Sequence, residues 1–179
     1  MKNTHLEHLE DNILNDGSQG GKEAVAFLRS LGEMLDQGAA DARVTVKWDG
    51  APAIICGINP ENGQFFVGTK SVFNKVNPKI AYSREDVDDM YPPGQLANKL
   101  KDAYKYLSTL SIPNVVQGDL LFTDDKYQAT IGGDTCIAFQ PNTIVYAVPK
   151  DSDVGEKIDK AKFGIVFHTQ YSGRTLDAM

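Results

Sequence analysis

Apolar residues along this chain keep two different rhythms. Across residues 4–37 they recur at helical spacing in two runs, first Leu6, Leu9, Ile13 and Leu14, then Ala24, Phe27, Leu28, Leu31, Met34 and Leu35. That spacing predicts two amphipathic helices. Thr4 is suited to cap the first, the polar and glycine-rich stretch 16–21 separates the two, and Gly38 marks the stop of the second.

From Val44 the rhythm shortens towards two. Strands are predicted over 44–47, 53–58 and 64–70, antiparallel to one another, with a hairpin turn at 59–63. Helical spacing returns at 95–107, where Leu96, Leu100, Ala103 and Leu107 share one side. Further strands are predicted over 114–122, 136–140, 143–148 and 164–169, and a helix over 151–162. Strands and helices mix without βαβ alternation, so the fold class is α+β with largely antiparallel sheets and N-terminal helices. No linker divides the chain, which reads as a single domain with a helical segment at 1–40 and a mixed sheet core at 41–179.

Composition narrows the class of protein. The 179 residues are 41% hydrophobic and 23% charged, the profile of a globular domain large enough for a real core. A formal net charge of -6 argues against a free-standing polyanion binder, so any nucleic-acid contact has to be local. One local candidate is the stretch between Glu61 and Glu85, which lacks acidic residues and carries Lys70, Lys75, Lys79 and Arg84. Its plain structural reading is a solvated loop balanced by the acidic run at 85–89 that follows. Cys56 and Cys136 sit in apolar runs without metal-ligand spacing and read as reduced core residues. No apolar leader and no stretch near ~20 apolar residues is present, so no membrane partner is expected and cytoplasm, of a bacterium or an infected one, is the default location.

The chemistry concentrates at Lys47-Trp48-Asp49-Gly50, where a hydrophobic strand meets a tight turn. Alone, this tetrapeptide also fits a strand-end hairpin with Asp49-Gly50 at the positive-φ positions. Two more segments follow it in order, Val116-Gln117-Gly118-Asp119-Leu120-Leu121 and Lys162-Phe163-Gly164-Ile165-Val166-Phe167. Together the three resemble motifs I, III and IV of the covalent nucleotidyltransferases, the DNA and RNA ligases and mRNA capping enzymes. The segment at 143–148 matches the aromatic-bearing strand called motif IIIa. A second resemblance, extending to the helical opening at 4–10, is to ligase-like proteins of marine tailed phages.

The resemblance implies a ligase-like adenylation domain in which two sheets hold a nucleotide between them. It implies ATP as substrate, Mg²⁺ as cofactor and nucleic acid ends, DNA or RNA, as acceptors. Lys47 and Asp49 become the catalytic residues, with Lys47 forming a lysyl-AMP intermediate. Lys47, Gly50, Lys70, Asp119 and Tyr146 become nucleotide-binding residues, Tyr146 by stacking on adenine, and Asp119 the metal ligand. The physical requirement is an unprotonated amine, since free lysine titrates near ~10.4 and needs desolvation or nearby cations to become nucleophilic at neutral pH. Mg²⁺ suits the scheme because it takes one or two carboxylates and fills its shell with water and phosphate oxygens. Each residue also has an ordinary reading: Lys70 as surface, Gly118-Asp119 as a strand edge, Tyr146 and Trp48 as core.

Three departures separate the chain from the family pattern. Phe163 precedes Gly164 where a glutamate is usual, and Ala51-Pro52 follows motif I where many ligases carry arginine. No Lys-x-Lys of motif V follows motif IV, since Lys160 and Lys162 come before it. The expectation is therefore either the N-terminal piece of a longer protein or reduced chemistry. The alternative to an enzyme is a binding or interaction protein of phage origin that keeps the fold. His168, on the motif IV strand, is a further candidate for the pocket wall, and His5 and His8 on the first helix a weaker metal pair.

Overall fold

The structure is a computed structural model that describes residues 8–37 and 47–179. It divides into two compact units, Met1–Lys47 and Trp48–Met179.

In the first unit, α1 (Asp11–Gln37) is two helical runs joined across Gly17, whose φ of 56° and ψ of -130° are non-helical. This is the break expected from the glycine-rich stretch, and two helices meet there at a kink. The bend is tight, because a Cβ on Gly20 would lie 1.8 Å from the carbonyl oxygen of Asn12. Thr4, His5, Leu6, Gly38 and the strand residues 44–46 lie outside the described residues.

The second unit is α+β with two antiparallel sheets. Strands β1 (Ala53–Ile58), β2 (Phe65–Gly68), β3 (Val115–Phe122) and β7 (Gly164–Tyr171) form a four-stranded sheet in the order β2-β1-β3-β7. Strands β4 (Tyr127–Ile131), β5 (Asp134–Phe139) and β6 (Tyr146–Pro149) form the other, in that order. Helices α2 (Arg84–Met90), α3 (Gln95–Leu107) and α4 (Asp153–Lys160) complete the unit.

Alternation along β3 distributes three cores. Val116 and Leu120 face the helical layer, where Ile54, Cys56, Val87, Leu100 and Leu107 pack together. Val115 points the other way, into a cluster with Ile55, Phe66, Val72 and Leu176. Leu121 and Phe122 meet Phe139, with Trp48, Tyr146 and Val166 around them. The buried stripe of α3 runs through Ala97, Leu100, Ala103 and Leu107, while Leu96 is 39% exposed. The helix is therefore rotated slightly from the stripe read off its leucines.

Two elements depart from the apolar pattern. The helix α2 occupies the acidic run: Ser83 caps it by accepting from the Asp86 amide, and Glu85 and Asp86 suit the positive end of its dipole. The strand β4 has mostly exposed side chains and is an edge of its sheet, so it needs no apolar alternation. At the C-terminal end of α4, the Lys126 ammonium donates to the carbonyls of Ile158, Asp159 and Ala161, tying that end to the start of β4. Among the described residues, no helix is long and apolar enough to cross a membrane.

Both cysteines are free and buried, and burial pushes the Cys56 thiol from 9.0 up to about 12. The folded chain thus keeps a proton that the unfolded thiol loses, so this contribution to stability is complete below pH 9.0 and falls away as pH rises towards 12. Denaturant titrations between those limits are expected to show stability declining with pH, and Cys56→Ala is expected to flatten the decline.

Candidate active site

The segment after Lys47 is fastened to β3 by backbone contacts. The Ala51 amide donates to the Leu120 carbonyl at 3.1 Å, and the Leu120 amide donates to the Pro52 carbonyl at 3.1 Å. A Cβ on Gly50 would lie 2.4 Å from the Leu120 carbonyl oxygen and 3.1 Å from Asp119 Cβ. Glycine is required here by this close approach of two backbones. The positive-φ hairpin considered for Asp49-Gly50 does not form, since neither residue has positive φ.

An aromatic cluster holds the same segment from the other side. The Trp48 ring lies 5.0 Å from Tyr146 and 6.5 Å from Phe139, and Tyr146 stacks on Phe139 at 5.5 Å. The Tyr146 hydroxyl accepts from the Asp49 amide at 2.7 Å and donates to the Asp49 carbonyl at 3.2 Å. The Asn142 side-chain amide donates to the Asp49 carboxylate at 3.2 Å. Tyr146 is therefore bound to the backbone of the Trp48-Asp49-Gly50 turn and remains half-buried. Asn142 escaped the sequence reading because an exposed loop asparagine carries no distinguishing pattern.

On β3, Gly118 is as constrained as Gly50. A Cβ there would come within 2.7 Å of the Val166 carbonyl oxygen and 2.8 Å of the Phe167 ring. Beside it the pairing with β7 slips: Gly118 opposes Phe167 and Gln117 opposes Thr169, which leaves His168 as an extra residue in a bulge. The His168 ring lies beside Asp119, with Nε2 3.4 Å from Oδ1 and both side chains 21% exposed. The other ring nitrogen, Nδ1, is 2.8 Å from the Thr169 hydroxyl. Phe163 packs instead into the core on the helical side, against Tyr106 at 5.7 Å.

The remaining candidates stand elsewhere. Lys47 closes the first unit, where its Nζ is 3.4 Å from Nε2 of His8, which in turn pairs with Glu10 at 3.3 Å. Lys70 opens a 3₁₀ segment, Lys70–Phe73, capped by the Thr69 hydroxyl, so it follows β2 rather than standing on it. In the basic stretch, Lys79 lies over the Tyr91 ring at 4.8 Å. A polar cleft of about 420 Å³ is lined by Arg84, Lys99, Lys101 and Asp125 among others. Of its lysines, Lys99 pairs with Asp125 within the cleft at 3.8 Å and Lys101 with Asp88 outside its lining at 2.7 Å.

For a divalent cation, Asp119 and His168 are the donors the second unit brings together on this strand pair. Among the described residues, no three His, Cys, Asp or Glu side chains cluster closely enough to hold a metal by themselves. Two protein donors still fit an ion that takes the rest of its shell from water and phosphate.

These features define an α+β protein whose second unit carries a glycine-packed turn beside a carboxylate–imidazole pair. Residues 3–179 match the model described as a family of unknown function, DUF6267, and the chain belongs to that family. No curated protein and no solved structure matches it.

Gly50→Ala is expected to lower stability by about 1–3 kcal/mol, because the contact it creates is with backbone. Tyr146→Phe, which removes the hydroxyl bonds to Asp49, is expected to cost about 1 kcal/mol. Urea denaturation followed by fluorescence of Trp48, the sole tryptophan, measures both.

Proposed function

We propose that this protein is an ATP-dependent covalent nucleotidyltransferase with a ligase-like adenylation fold, in which Lys47 is the nucleophile. The observation that carries the reading is the packing of Gly50 against Leu120 and Asp119. Two segments about seventy residues apart in sequence, each matching a nucleotidyltransferase motif, meet backbone to backbone, and the strand matching a third motif pairs with the second. Ordinary surface turns have no need of that convergence.

In this reading the neutral Lys47 amine attacks the α-phosphorus of ATP. A nitrogen–phosphorus bond forms, the bond to the bridging oxygen breaks, pyrophosphate leaves with the electron pair, and the amine proton passes to solvent. The product is a lysyl-AMP phosphoramidate, from which AMP passes to the end of a DNA or RNA strand. Asp119 holds the divalent cation, which when bound supplies charge neutralisation at the triphosphate. The Tyr146 hydroxyl and Asn142 fix the Asp49 backbone and carboxylate, so the turn enters the reaction already ordered. Adenine stacking by Tyr146 uses whatever part of its half-buried ring Trp48 and Phe139 leave open. Lys70 serves the phosphates as a point charge.

A second reading, a nucleotide-binding or phage interaction protein that keeps the fold without the covalent step, is favoured by one observation. Phe163 is built into the helical-side core, so the carboxylate usual at that motif position is missing.

Intact mass after incubation with ATP and Mg²⁺ separates the two. Wild type is expected to gain one AMP and Lys47→Ala none. A wild-type mass that stays unchanged while nucleotide still binds would establish the second reading.

A further inference from the structure

We propose that Asp119 Oδ1 and His168 Nε2 together form a cation site that takes a first-row transition ion such as Mn²⁺ in preference to Mg²⁺. The inference deepens the nucleotidyltransferase reading and rests on it only for the phosphates that complete the coordination shell. It also supplies a second protein donor on the motif IV strand, whose usual carboxylate position holds Phe163.

The spacing of the pair is the first argument. A charge-assisted bond between an imidazolium N–H and a carboxylate closes to about 2.7–2.9 Å, whereas these atoms are 3.4 Å apart. Two donors each about 2.1 Å from one ion stand roughly 3.0–3.4 Å apart when the angle at the metal runs from square to tetrahedral. The observed separation therefore suits a shared ion better than a shared proton.

The second argument is the outer contact of the ring. Imidazoles that bind metals characteristically donate their other N–H to an oxygen, which fixes the tautomer. His168 Nδ1 has such an oxygen in Thr169 Oγ1 at 2.8 Å. With the proton on Nδ1, the Nε2 lone pair faces the lone pairs of Asp119, and a cation between them resolves the conflict. With the proton on Nε2, the pair is a plain hydrogen bond with Thr169 donating to Nδ1. The two tautomers are distinguishable by experiment.

The third argument is how the pair arises. Asp119 opposes Val166, and His168 lies two residues further along β7, at the slip beside Gly118. A bulge disrupts the ladder locally, and here the residue it leaves unpaired is an imidazole beside a carboxylate. That mixed oxygen and nitrogen set favours first-row transition ions, whereas Mg²⁺ favours an octahedral shell of oxygens.

The full chain is titrated with Mn²⁺ alone, with free Mn²⁺ read by electron paramagnetic resonance, and the bound ion is then competed with Mg²⁺. Expected are one bound Mn²⁺ per chain, a Mg²⁺ concentration at least about tenfold higher to displace it, and binding weakened at least about tenfold in His168→Ala and in Asp119→Asn. Circular dichroism checks that both variants fold. In case either does not, ¹⁵N spectra of the wild-type imidazoles are expected to show the Nδ1–H tautomer at His168 and selective broadening of that ring by Mn²⁺. Binding unchanged in both variants, displacement by equimolar Mg²⁺, or an Nε2–H tautomer without broadening would overturn the proposal. The AMP adduct is a separate readout. Adduct formed on Lys47 while Mn²⁺ affinity is unchanged in both variants removes the cation inference and leaves the enzyme reading, whereas Mn²⁺ held by the pair without any adduct does the reverse.

Discussion

The backbone of β3 is the constraint from which the second unit is built. It lies inside its sheet, with β1 on one side and β7 on the other, and both the turn before β1 and β7 itself crowd it at a glycine contact. Gly50 and Gly118 have no room for a methyl group because a carbonyl oxygen occupies the place where one would project. Close backbone approach of this kind fixes position more tightly than side-chain packing, since carbonyls and amides have few ways to yield. Asp119 sits between the two contacts. Its carboxylate is therefore carried on one of the least adjustable stretches of the chain.

Much of this architecture was legible in the sequence because its signals are hydrophobic. The helix at 95–107 was bounded correctly by its periodicity, and β1, β2, β3 and β7 fall where β-branched and aromatic residues alternate. Elements without such a face were harder to read. The strand β4 is a polar edge, and α2 is a capped acidic run in which Val87 is the buried residue. At 143–148 the apolar run misled about register: Ile144 and Val145 are exposed, and the strand begins only at Tyr146. Burial by neighbours distant in sequence decides such cases, and one sequence does not display those neighbours.

The candidate site divides along the same line. The Lys47-Trp48-Asp49-Gly50 motif and Gly118-Asp119 are picked out by their resemblance to nucleotidyltransferase motifs, which does not give the reason for their glycines. The expected reason was turn conformation, and the actual one is space. The Asp119–His168 pair depends on the register between β3 and β7, which hydrophobic periodicity does not display. Trp48, read as core, anchors the turn through Tyr146 and Phe139. The candidate site and the packing of the second unit thus draw on the same residues.

The bend in α1 carries a consequence of its own. Uninterrupted, its 27 residues would make a rod about 40 Å long at 1.5 Å per residue. Two glycines prevent this, Gly17 by adopting a backbone conformation that side-chain-bearing residues avoid, and Gly20 by admitting the Asn12 carbonyl where a β-carbon would stand. A single-nucleotide change in either codon is thus enough to set helix continuity against the bend.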